Sequence, residues 1–479
     1  MIDTKTGKIE SDKIESDKIE LMNDFIAKMN NITEDFCTRH GRKPKASIIT
    51  HGCQMNARDS ETLAGMLELM GYEKTIDSEK SDLIIFNTCC VRENAENKLY
   101  GNLGNMKAEK TGNPDFKIVL CGCMMQQDVV IQKLQANYKY IDLIFGTHNI
   151  YRFPELLYSH FETGSMIIDI WKQAEEIVED LPAVRQFPYK ASVNIMYGCD
   201  NYCTFCIVPY VRGRERSRMP QDIIDEAKAL AADGVKELML LGQNVDSYGK
   251  GLPVEAGASF ANLLQAVSEV DGIERLRFMS SHPKDISGEV IAVMRDSQKI
   301  CKHLHLPVQA GSTNILKRMN RGYSKEEYLA LVERVRAAMP DIAITTDIMV
   351  GFPGESEEDF EETLDLVRKA RFAGAFTFIY SVRQGTPAAR MEQLPPDIVK
   401  ARFNRLLEEV NGILLELSQQ KEGKVLQVLV ESIDEHGIMK GRADDNSLVH
   451  VPGELGLMGN ILDVKITQAR TFYLNGELV

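Results

Sequence analysis

The sequence lacks the features of a disulfide-rich or membrane-spanning protein. It has only ten cysteines in 479 residues, too few for a disulfide scaffold. No apolar run approaches the roughly 18 residues that a membrane helix needs, and the first residues contain no apolar core of a secretory signal. We therefore expect a cytoplasmic chain without membrane contact, whose clustered cysteines serve metal binding or catalysis.

Positive charge is also scarce. Acidic residues outnumber basic residues 70 to 56, which gives a net charge of −14. This balance argues against a uniformly basic surface of the kind that coats nucleic acid. It leaves room for a local basic patch, so any RNA contact has to be sought in particular segments.

The length and the changes of sequence pattern indicate several domains. At about 150 residues per domain, the chain has room for about three. A charged five-residue repeat, KIESDKIESDKIE, occupies residues 8–20 and is typical of a solvated tail. We predict a partly disordered N-terminal extension over 1–43, with a helical stretch at about 19–36, and a linker over 163–187. The domains themselves are expected at 44–162, 188–415 and 416–479.

Short apolar runs alternate with helical patterns along most of the chain, which favours an α/β fold. In 44–162 this alternation predicts a parallel sheet covered by helices. In 188–415, six such runs predict an incomplete (β/α)6 barrel, whose active site would lie at the C-terminal ends of the strands. In 416–479, strand patterns interrupted by Gly, Asp and Asn predict a small antiparallel β-barrel or sandwich.

Three cysteines stand close together directly after the first predicted barrel strand, in Cys199-Asp-Asn-Tyr-Cys203-Thr-Phe-Cys206. Thiolates are the usual ligands of iron–sulfur clusters. Three ligands leave one iron of a four-iron cluster open to a small molecule. A zinc ion with a fourth ligand elsewhere is the alternative, but the position at the predicted catalytic rim favours the cluster.

Three further cysteines occupy equivalent positions in the N-terminal domain. Cys53, Cys89 and Cys123 each follow a predicted parallel strand. Because parallel strands end at the same edge of a sheet, we expect the three thiols to converge there. The alternative is that each is a small apolar core residue. Cys90 is expected to point away from Cys89, because successive strand residues face opposite sides. Cys121 and Cys123, two residues apart, should face the same side, so Cys121 could compete with Cys123 as a ligand.

The cysteine loop, with its 3-then-2 spacing, resembles the radical S-adenosylmethionine (SAM) superfamily. The resemblance implies a 4Fe-4S cluster on Cys199, Cys203 and Cys206, whose open iron binds SAM and releases a 5′-deoxyadenosyl radical from it. It also implies SAM contacts near the loop and at the strand ends, from Phe205, Gly242, Gln243, Asn244, Gln309, Asp347 and Gly351. The segment 242–244 departs from the superfamily's Gly-Gly-Glu pattern.

Residues 45–479 resemble the methylthiotransferase family of that superfamily, with a C-terminal TRAM-type barrel. The segments that carry the resemblance are HGCQMN (51–56), NTCCVR (87–92) and GCMMQ (122–126). The resemblance implies a second, auxiliary 4Fe-4S cluster on Cys53, Cys89 and Cys123. It further implies that one SAM donates a methyl group and another serves as the radical source, while sulfur is delivered through the auxiliary cluster.

Further motifs resemble the branch of the family that acts on tRNA: NTCCVRENAENK (87–98), RFMSSHP (277–283), HLPVQAGS (305–312) and KRMNRGY (317–323). They imply methylthiolation of carbon 2 of N6-isopentenyladenosine at position 37 of tRNA. Within the family, the alternatives are N6-threonylcarbamoyladenosine in tRNA and an aspartate of a ribosomal protein. An alternative of another class is a non-catalytic iron–sulfur RNA-binding regulator.

RNA contacts are expected from local basic residues, because the planar fork of arginine suits phosphate. The candidates are an arginine run beside the cysteine loop and two residues of the C-terminal domain: Arg212, Arg214, Arg216, Arg218, Lys440 and Arg442. The alternative for the arginine run is a solvated or intraprotein set of charges. The expected partners are the substrate tRNA and an electron donor such as flavodoxin or ferredoxin, and we expect the chain to be a monomer.

Overall fold

The computed structural model describes residues 4–90, 93–113, 115–173 and 177–479, except the side chains of 4–15 and 93–95. Val91 and Arg92 of the NTCCVR segment therefore lie outside the described residues. The chain divides into two compact units. One comprises Met1–Gln186, Tyr197–Cys199 and Ile207–Arg216, and the other comprises Phe187–Met196, Asp200–Cys206 and Ser217–Val479. In the described ranges, no helix is both long enough and apolar enough to cross a membrane.

A parallel sheet covered by helices forms most of the first unit. Its strands are β1 (Lys45–His51), β2 (Glu73–Lys74), β3 (Leu83–Thr88), β4 (Lys117–Cys121), β5 (Leu143–Phe145) and β6 (Ile167–Asp169). Its first helices are α1 (Thr4–His40), α2 (Gln54–Leu69), α3 (Glu93–Gly112), α4 (Asp128–Asn137) and α5 (Phe153–Thr163). The strand order is β2-β1-β3-β4-β5-β6. Strand β3 is buried along its whole length, as expected where helices cover both faces of a sheet.

Two segments of this unit differ from the expected organisation. Most of the expected partly disordered extension belongs to one helix, α1, which includes the charged repeat. Its buried Met22, Ile26 and Met29 are spaced three or four residues apart and so share one face, which packs into the core beside β1 and α2. Strand β6 lies within the expected linker and pairs in parallel with β5.

The second unit continues the alternation of strands and helices through the expected barrel domain. Along the chain the elements are β7 (Lys190–Asn194), β8 (Met196–Tyr197), α6 (Val208–Arg212), β9 (Arg216–Ser217), α7 (Pro220–Ala232), β10 (Glu237–Leu241), α8 (Phe260–Ser268), β11 (Arg275–Phe278), α9 (Gly288–Asp296), β12 (His303–His305), α10 (Thr313–Arg318), α11 (Lys325–Ala338), β13 (Ala343–Val350), α12 (Glu357–Ala370), β14 (Gly374–Ile379) and α13 (Pro396–Gln419). Of these, α6, together with Tyr197 of β8 and Arg216 of β9, belongs to the first unit. Capping boxes begin α11 and α12, which fixes where those helices start.

The six parallel strands of this unit form an open barrel. They are arranged as β11-β10-β7 and β12-β13-β14, and a parallel bridge between Leu276 and Ile300 joins the two halves. Strands β7 and β14 are the free edges, so the ring is not closed. The incomplete (β/α)6 barrel expected from the sequence is therefore confirmed.

A closed five-stranded barrel ends the chain. Its strands are β15 (Val425–Ile433), β16 (Ile438–Ala443), β17 (Leu448–Pro452), β18 (Ile461–Ala469) and β19 (Leu474–Leu478), in the order β15-β16-β17-β19-β18. All neighbouring pairs are antiparallel except β17 and β19. Arg275, the first residue of β11, donates hydrogen bonds to the carbonyls of Gln427 and Arg442. The small barrel therefore sits at the N-terminal ends of the large barrel's strands.

Candidate active site

The three strand-end cysteines of the first unit converge at one edge of the sheet. Cys53 follows β1, Cys89 follows β3 and Cys123 follows β4, and these strands are neighbours. The Cys123 thiol hydrogen-bonds to Cys89, and the Cys89 thiol donates to Cys53. The hydrogen bond from Cys89 lowers the pKa of Cys53. Cys89 therefore contacts both of the other cysteines, and the three sulfurs form a donor set suited to a thiolate-ligated cluster.

Side-chain amides fix the loop that carries Cys53. Its Sγ donates to Asn56 Oδ1 at 3.3 Å, and Asn56 Nδ2 donates to Asn87 Oδ1 at 2.8 Å. Both asparagines are fully buried, so these hydrogen bonds are shielded from water. The first and second cysteine loops are therefore tied together by a polar contact in the protein interior.

The two competing cysteines take different places. Cys121 packs into the apolar core that contains Met70 and Phe145, whereas Cys123 packs into a separate core, because the chain turns at Gly122 between them. Burial raises the pKa of Cys121 well above its usual range. The expectation that Cys121 and Cys123 point to the same side of the strand is therefore wrong. The geometry favours Cys123 over Cys121 as the cluster ligand. Cys90 lies beside Cys89, whose pKa it helps to raise, instead of pointing away as expected.

The arginine run divides into buried and accessible members. Arg212 is only 4% exposed; its Nε donates to Cys123 Sγ at 3.1 Å and its Nη2 to Asp59 Oδ2 at 2.7 Å. Arg218 is also buried, and its Nη1 donates to the Asn194 carbonyl and to Glu226 Oε2. Both are therefore removed from the predicted phosphate-binding set. The intraprotein alternative holds for them.

The other members of that set remain accessible to different degrees. Arg214 is exposed, and the half-buried Arg216 lies over the Tyr197 ring. In the C-terminal barrel, Lys440 has an exposed side chain 3.9 Å from Asp434 Oδ2. Arg442 is half-buried and donates to the Asn446 carbonyl. Arg214 and Lys440 are thus the members of the predicted set most open to a phosphate.

The cysteine loop after β8 forms separate hydrogen bonds in each of the two units. In the first unit, the Cys199 amide donates to the Gly213 carbonyl. In the second, the Cys206 amide donates to the Cys203 carbonyl, and Arg321 Nη1 donates to Cys203 Sγ at 3.4 Å. The ring of Phe205 meets that of Phe352 edge-on, with centroids 6.5 Å apart. Sequence reasoning missed Arg321, although it lies in the quoted KRMNRGY motif.

Buried polar atoms without partners mark the ends of β10 and β11. Gly242, Gln243 and Asn244 follow β10 as expected. Asn244 Oδ1, Asp246 Oδ1 and His282 Nε2 are buried and have no hydrogen-bond partner. Burial raises the pKa of Asp246 to about 7 and lowers the pKa of His282 to about 2. Unsatisfied buried groups are costly, so this cluster fits a polar ligand such as the amino-acid end of SAM.

The remaining predicted SAM residues lie along β13. Gln309, with a left-handed φ of 71°, bridges to that strand through its backbone: its amide donates to the Asp347 carbonyl. The Asp347 side chain lies 3.6 Å from His305 Nε2. Gly351 also has a left-handed φ, but a Cβ there would lie 2.6 Å from a Val399 methyl. Its small size is therefore required for packing against α13, whereas the sequence suggested close approach to a ligand.

A single metal ion, unlike a four-iron cluster, needs all its ligands directed at one point. In the parts of the chain that the structure describes, no three His, Cys, Asp or Glu side chains are grouped so that they could hold one ion. The cysteine ligands of a four-iron cluster bind different irons, so this requirement does not apply to them.

Comparison with known proteins agrees with this architecture. Three family models match: the Radical SAM superfamily over residues 193–367, uncharacterized protein family UPF0004 over 45–146 and the TRAM domain over 419–479. The structure of the radical S-adenosylmethionine methyltransferase TsrM from Kitasatospora setae is similar, with a TM-score of 0.52 and 14% identity over 82% of this chain and 79% of that one. This likeness concerns the fold alone.

Two similar curated proteins are named tRNA-2-methylthio-N(6)-dimethylallyladenosine synthase. The one from Clostridioides difficile is 54% identical over 459 residues, covering 95% of this chain and 96% of its own length. The one from Lachnoclostridium phytofermentans is 53% identical over 442 residues, covering 92% and 96%. With identity at this level along almost the whole chain, the protein belongs to the tRNA-2-methylthio-N(6)-dimethylallyladenosine synthase family of the radical SAM superfamily.

Proposed function

We propose that this chain methylthiolates carbon 2 of N6-dimethylallyladenosine (N6-isopentenyladenosine) in tRNA, at position 37. The observation that carries the proposal is the convergence of the Cys53, Cys89 and Cys123 thiols in a chain that also has the radical-SAM cysteine loop. An aromatic C–H has neither an acidic proton nor a leaving group. When bound, SAM and two 4Fe-4S clusters supply the methyl group, the radical and the sulfur that this substitution needs.

The chain's own residues hold and orient these groups. Cys53, Cys89 and Cys123 would ligate the auxiliary cluster. The loop cysteines Cys199, Cys203 and Cys206 would ligate the radical-SAM cluster. Asn244, Asp246 and His282 would bind the amino-acid end of SAM, because they offer buried polar atoms that have no other partner. Burial of these groups also keeps water away from the reaction.

The open barrel offers an apolar surface for the substrate. On β13, Ile344 and Ile348 pack into the core toward the helices, so Asp347 and Met349 face the interior. Phe376 and Phe378 are their register partners on β14 and are 58% and 42% exposed. An exposed phenylalanine pair at this position suits the apolar dimethylallyl group better than the charged threonylcarbamoyl group of the alternative substrate.

The binding of tRNA is assigned to accessible cations and to the C-terminal barrel. Arg214, Arg216 and Lys440 would contact phosphates, and the TRAM match over residues 419–479 supports RNA contact there. We infer that the electron comes from a small redox protein such as flavodoxin or ferredoxin. We also infer that the chain acts as a monomer in the cytoplasm, where its tRNA is found.

Nucleoside analysis tests the proposal directly. In tRNA from cells lacking the gene, 2-methylthio-N6-dimethylallyladenosine should be absent and N6-dimethylallyladenosine should accumulate. The gene should restore the product, the Cys89→Ala variant should not, and Cys37→Ala, which changes a cysteine of α1, should restore it fully. Unchanged product in the deleted strain would refute the function. Loss of the threonylcarbamoyl derivative instead would support the alternative tRNA substrate.

A further inference from the structure

In each cysteine set, a buried guanidinium donates to a cysteine sulfur. In the first unit, Arg212 Nε lies 3.1 Å from Cys123 Sγ. In the second, Arg321 Nη1 lies 3.4 Å from Cys203 Sγ. Arg212 is 4% and Arg321 is 6% exposed. Neither contact was expected from the sequence, and the proposed reaction does not require either arginine for ligation.

The two guanidinium groups differ in whether a carboxylate neutralises their positive charge. Arg212 also donates to Asp59 Oδ2 at 2.7 Å, and Asp59 is itself buried. Arg321 gives its other hydrogen bonds to neutral oxygens, the Tyr323 hydroxyl at 2.9 Å and the Pro307 carbonyl at 2.8 Å. No carboxylate in the described ranges forms an ion pair with it. The buried positive charge is therefore neutralised beside Cys123 and not beside Cys203.

This difference bears on electron uptake. Reduction adds one negative charge to an iron–sulfur cluster, and hydrogen bonds to the ligand sulfurs and local charge set how favourable that is. A buried positive charge acts strongly because little water screens it. A neutral ion pair at the same distance acts much less, although its hydrogen bond to sulfur remains.

We propose that these arginines are positioning residues that set the reduction potentials of the two clusters. Arg321 favours the reduced form of the radical-SAM cluster, so that this cluster takes the electron from the one-electron donor. Asp59 cancels the charge of Arg212, so that the auxiliary cluster stays oxidised beside the sulfur it carries. The inference rests on the proposed function, because it takes the two cysteine sets as cluster ligands.

The test measures each cluster alone in the full-length chain. The triple variant Cys53→Ala/Cys89→Ala/Cys123→Ala retains only the radical-SAM site, and Cys199→Ala/Cys203→Ala/Cys206→Ala retains only the auxiliary site. After anaerobic reconstitution, each should bind about four irons. Potentials are then measured by dithionite titration followed by electron paramagnetic resonance, without SAM. If either background fails to bind about four irons, the ligand assignment fails, and with it the proposed function.

In the radical-SAM background, Arg321→Gln should disfavour electron uptake at least tenfold, which is about 59 mV for one electron. Arg321→Lys keeps the charge and should recover most of the shift. In the auxiliary background, Asp59→Asn should favour electron uptake by a similar factor. The double variant Asp59→Asn/Arg212→Gln restores neutrality and should return toward the starting potential. Unchanged potentials in Arg321→Gln and Asp59→Asn, with iron content retained, would overturn the proposal and leave the arginines a structural role.

Discussion

Arg277 and Glu237 form a buried ion pair across two neighbouring strands of the large barrel. Arg277 Nε lies 2.9 Å from Glu237 Oε2, and the same guanidinium donates to the carbonyls of Ala443 and Asp444 in the C-terminal barrel. One side chain thus joins the base of the large barrel to the small one. Arg277→Met would leave a buried carboxylate and two carbonyls without this donor.

We expect Arg277→Met to lower the free energy of unfolding by about 3–5 kcal/mol, measured by urea denaturation. The matched control is Arg368→Met, which breaks the ion pair of Arg368 with Glu409 on exposed helix surfaces. That loss should stay below about 1 kcal/mol. Equal losses of unfolding free energy in the two variants would show that the buried ion pair stabilises the fold no more than the exposed one.

The residue before the first loop cysteine must be glycine. Gly198 has a left-handed φ of 77°, and a Cβ there would lie 2.0 Å from the Arg214 carbonyl oxygen. Gly198→Ala should therefore displace Cys199 and reduce the iron content from about eight to about four per chain, measured after anaerobic reconstitution. Gly234→Ala is the matched control, because φ is 87° but the space around it is open. Full iron content in Gly198→Ala would contradict the expectation.

Asp246 predicts a pH dependence of SAM binding. Burial raises its pKa to about 7, so the carboxyl group is neutral below that pH and charged above it. Because a carboxylate attracts the ammonium group of SAM, affinity should rise with pH. The contribution of Asp246 should weaken about tenfold between pH 8 and pH 6.

Equilibrium dialysis with labelled SAM measures this dependence. Asp246→Asn cannot ionise, so its profile reports every other titrating group, including SAM itself. The difference between the two profiles should be centred near pH 7. Parallel profiles would remove Asp246 from the SAM site.

Arg214 should contribute to tRNA affinity through charge. Arg214→Ala removes an exposed guanidinium and should weaken binding to all tRNAs alike. The slope of log affinity against log salt should fall by about 1 for each phosphate that is no longer neutralised. Arg334→Ala removes an exposed arginine of α11 and should change neither quantity. An unchanged salt slope in Arg214→Ala, measured by filter binding, would exclude a phosphate as the partner of Arg214.

The fold was predictable because its signals are local. Runs such as LIIFNT in β3 are apolar throughout, since helices cover both faces of the sheet, and the following turn and helix patterns repeat this unit. Strand β6 escaped prediction because its residues are only half-buried and lie in an acidic stretch. Helix α1 was predicted only from about residue 19, because the charged repeat before it resembles a solvated tail, whereas the buried face of the helix lies further along, from Met22 to Met29.

The positions of the cysteines could also be predicted from the sequence, whereas the residues that surround them could not. Parallel strands end together, so Cys53 and Cys89 could be placed side by side from spacing alone. Arg212 lies 89 residues from Cys123 in sequence, and nothing local distinguishes it from Arg214 two positions later. Only the tertiary fold separates a guanidinium bound to sulfur from one exposed to solvent.

The membership of Ile207–Arg216 in the first unit has a consequence for how the protein is made and inherited. A ribosome that has released residues 1–186 has not yet delivered Arg212, so the interior beside Asp59 is completed only after 26 further residues. A gene crossover within the linker would likewise combine Asp59 from one parent with Arg212 from another. Recombination at the apparent border between the two domains would therefore change which Asp59 and Arg212 meet in the first unit.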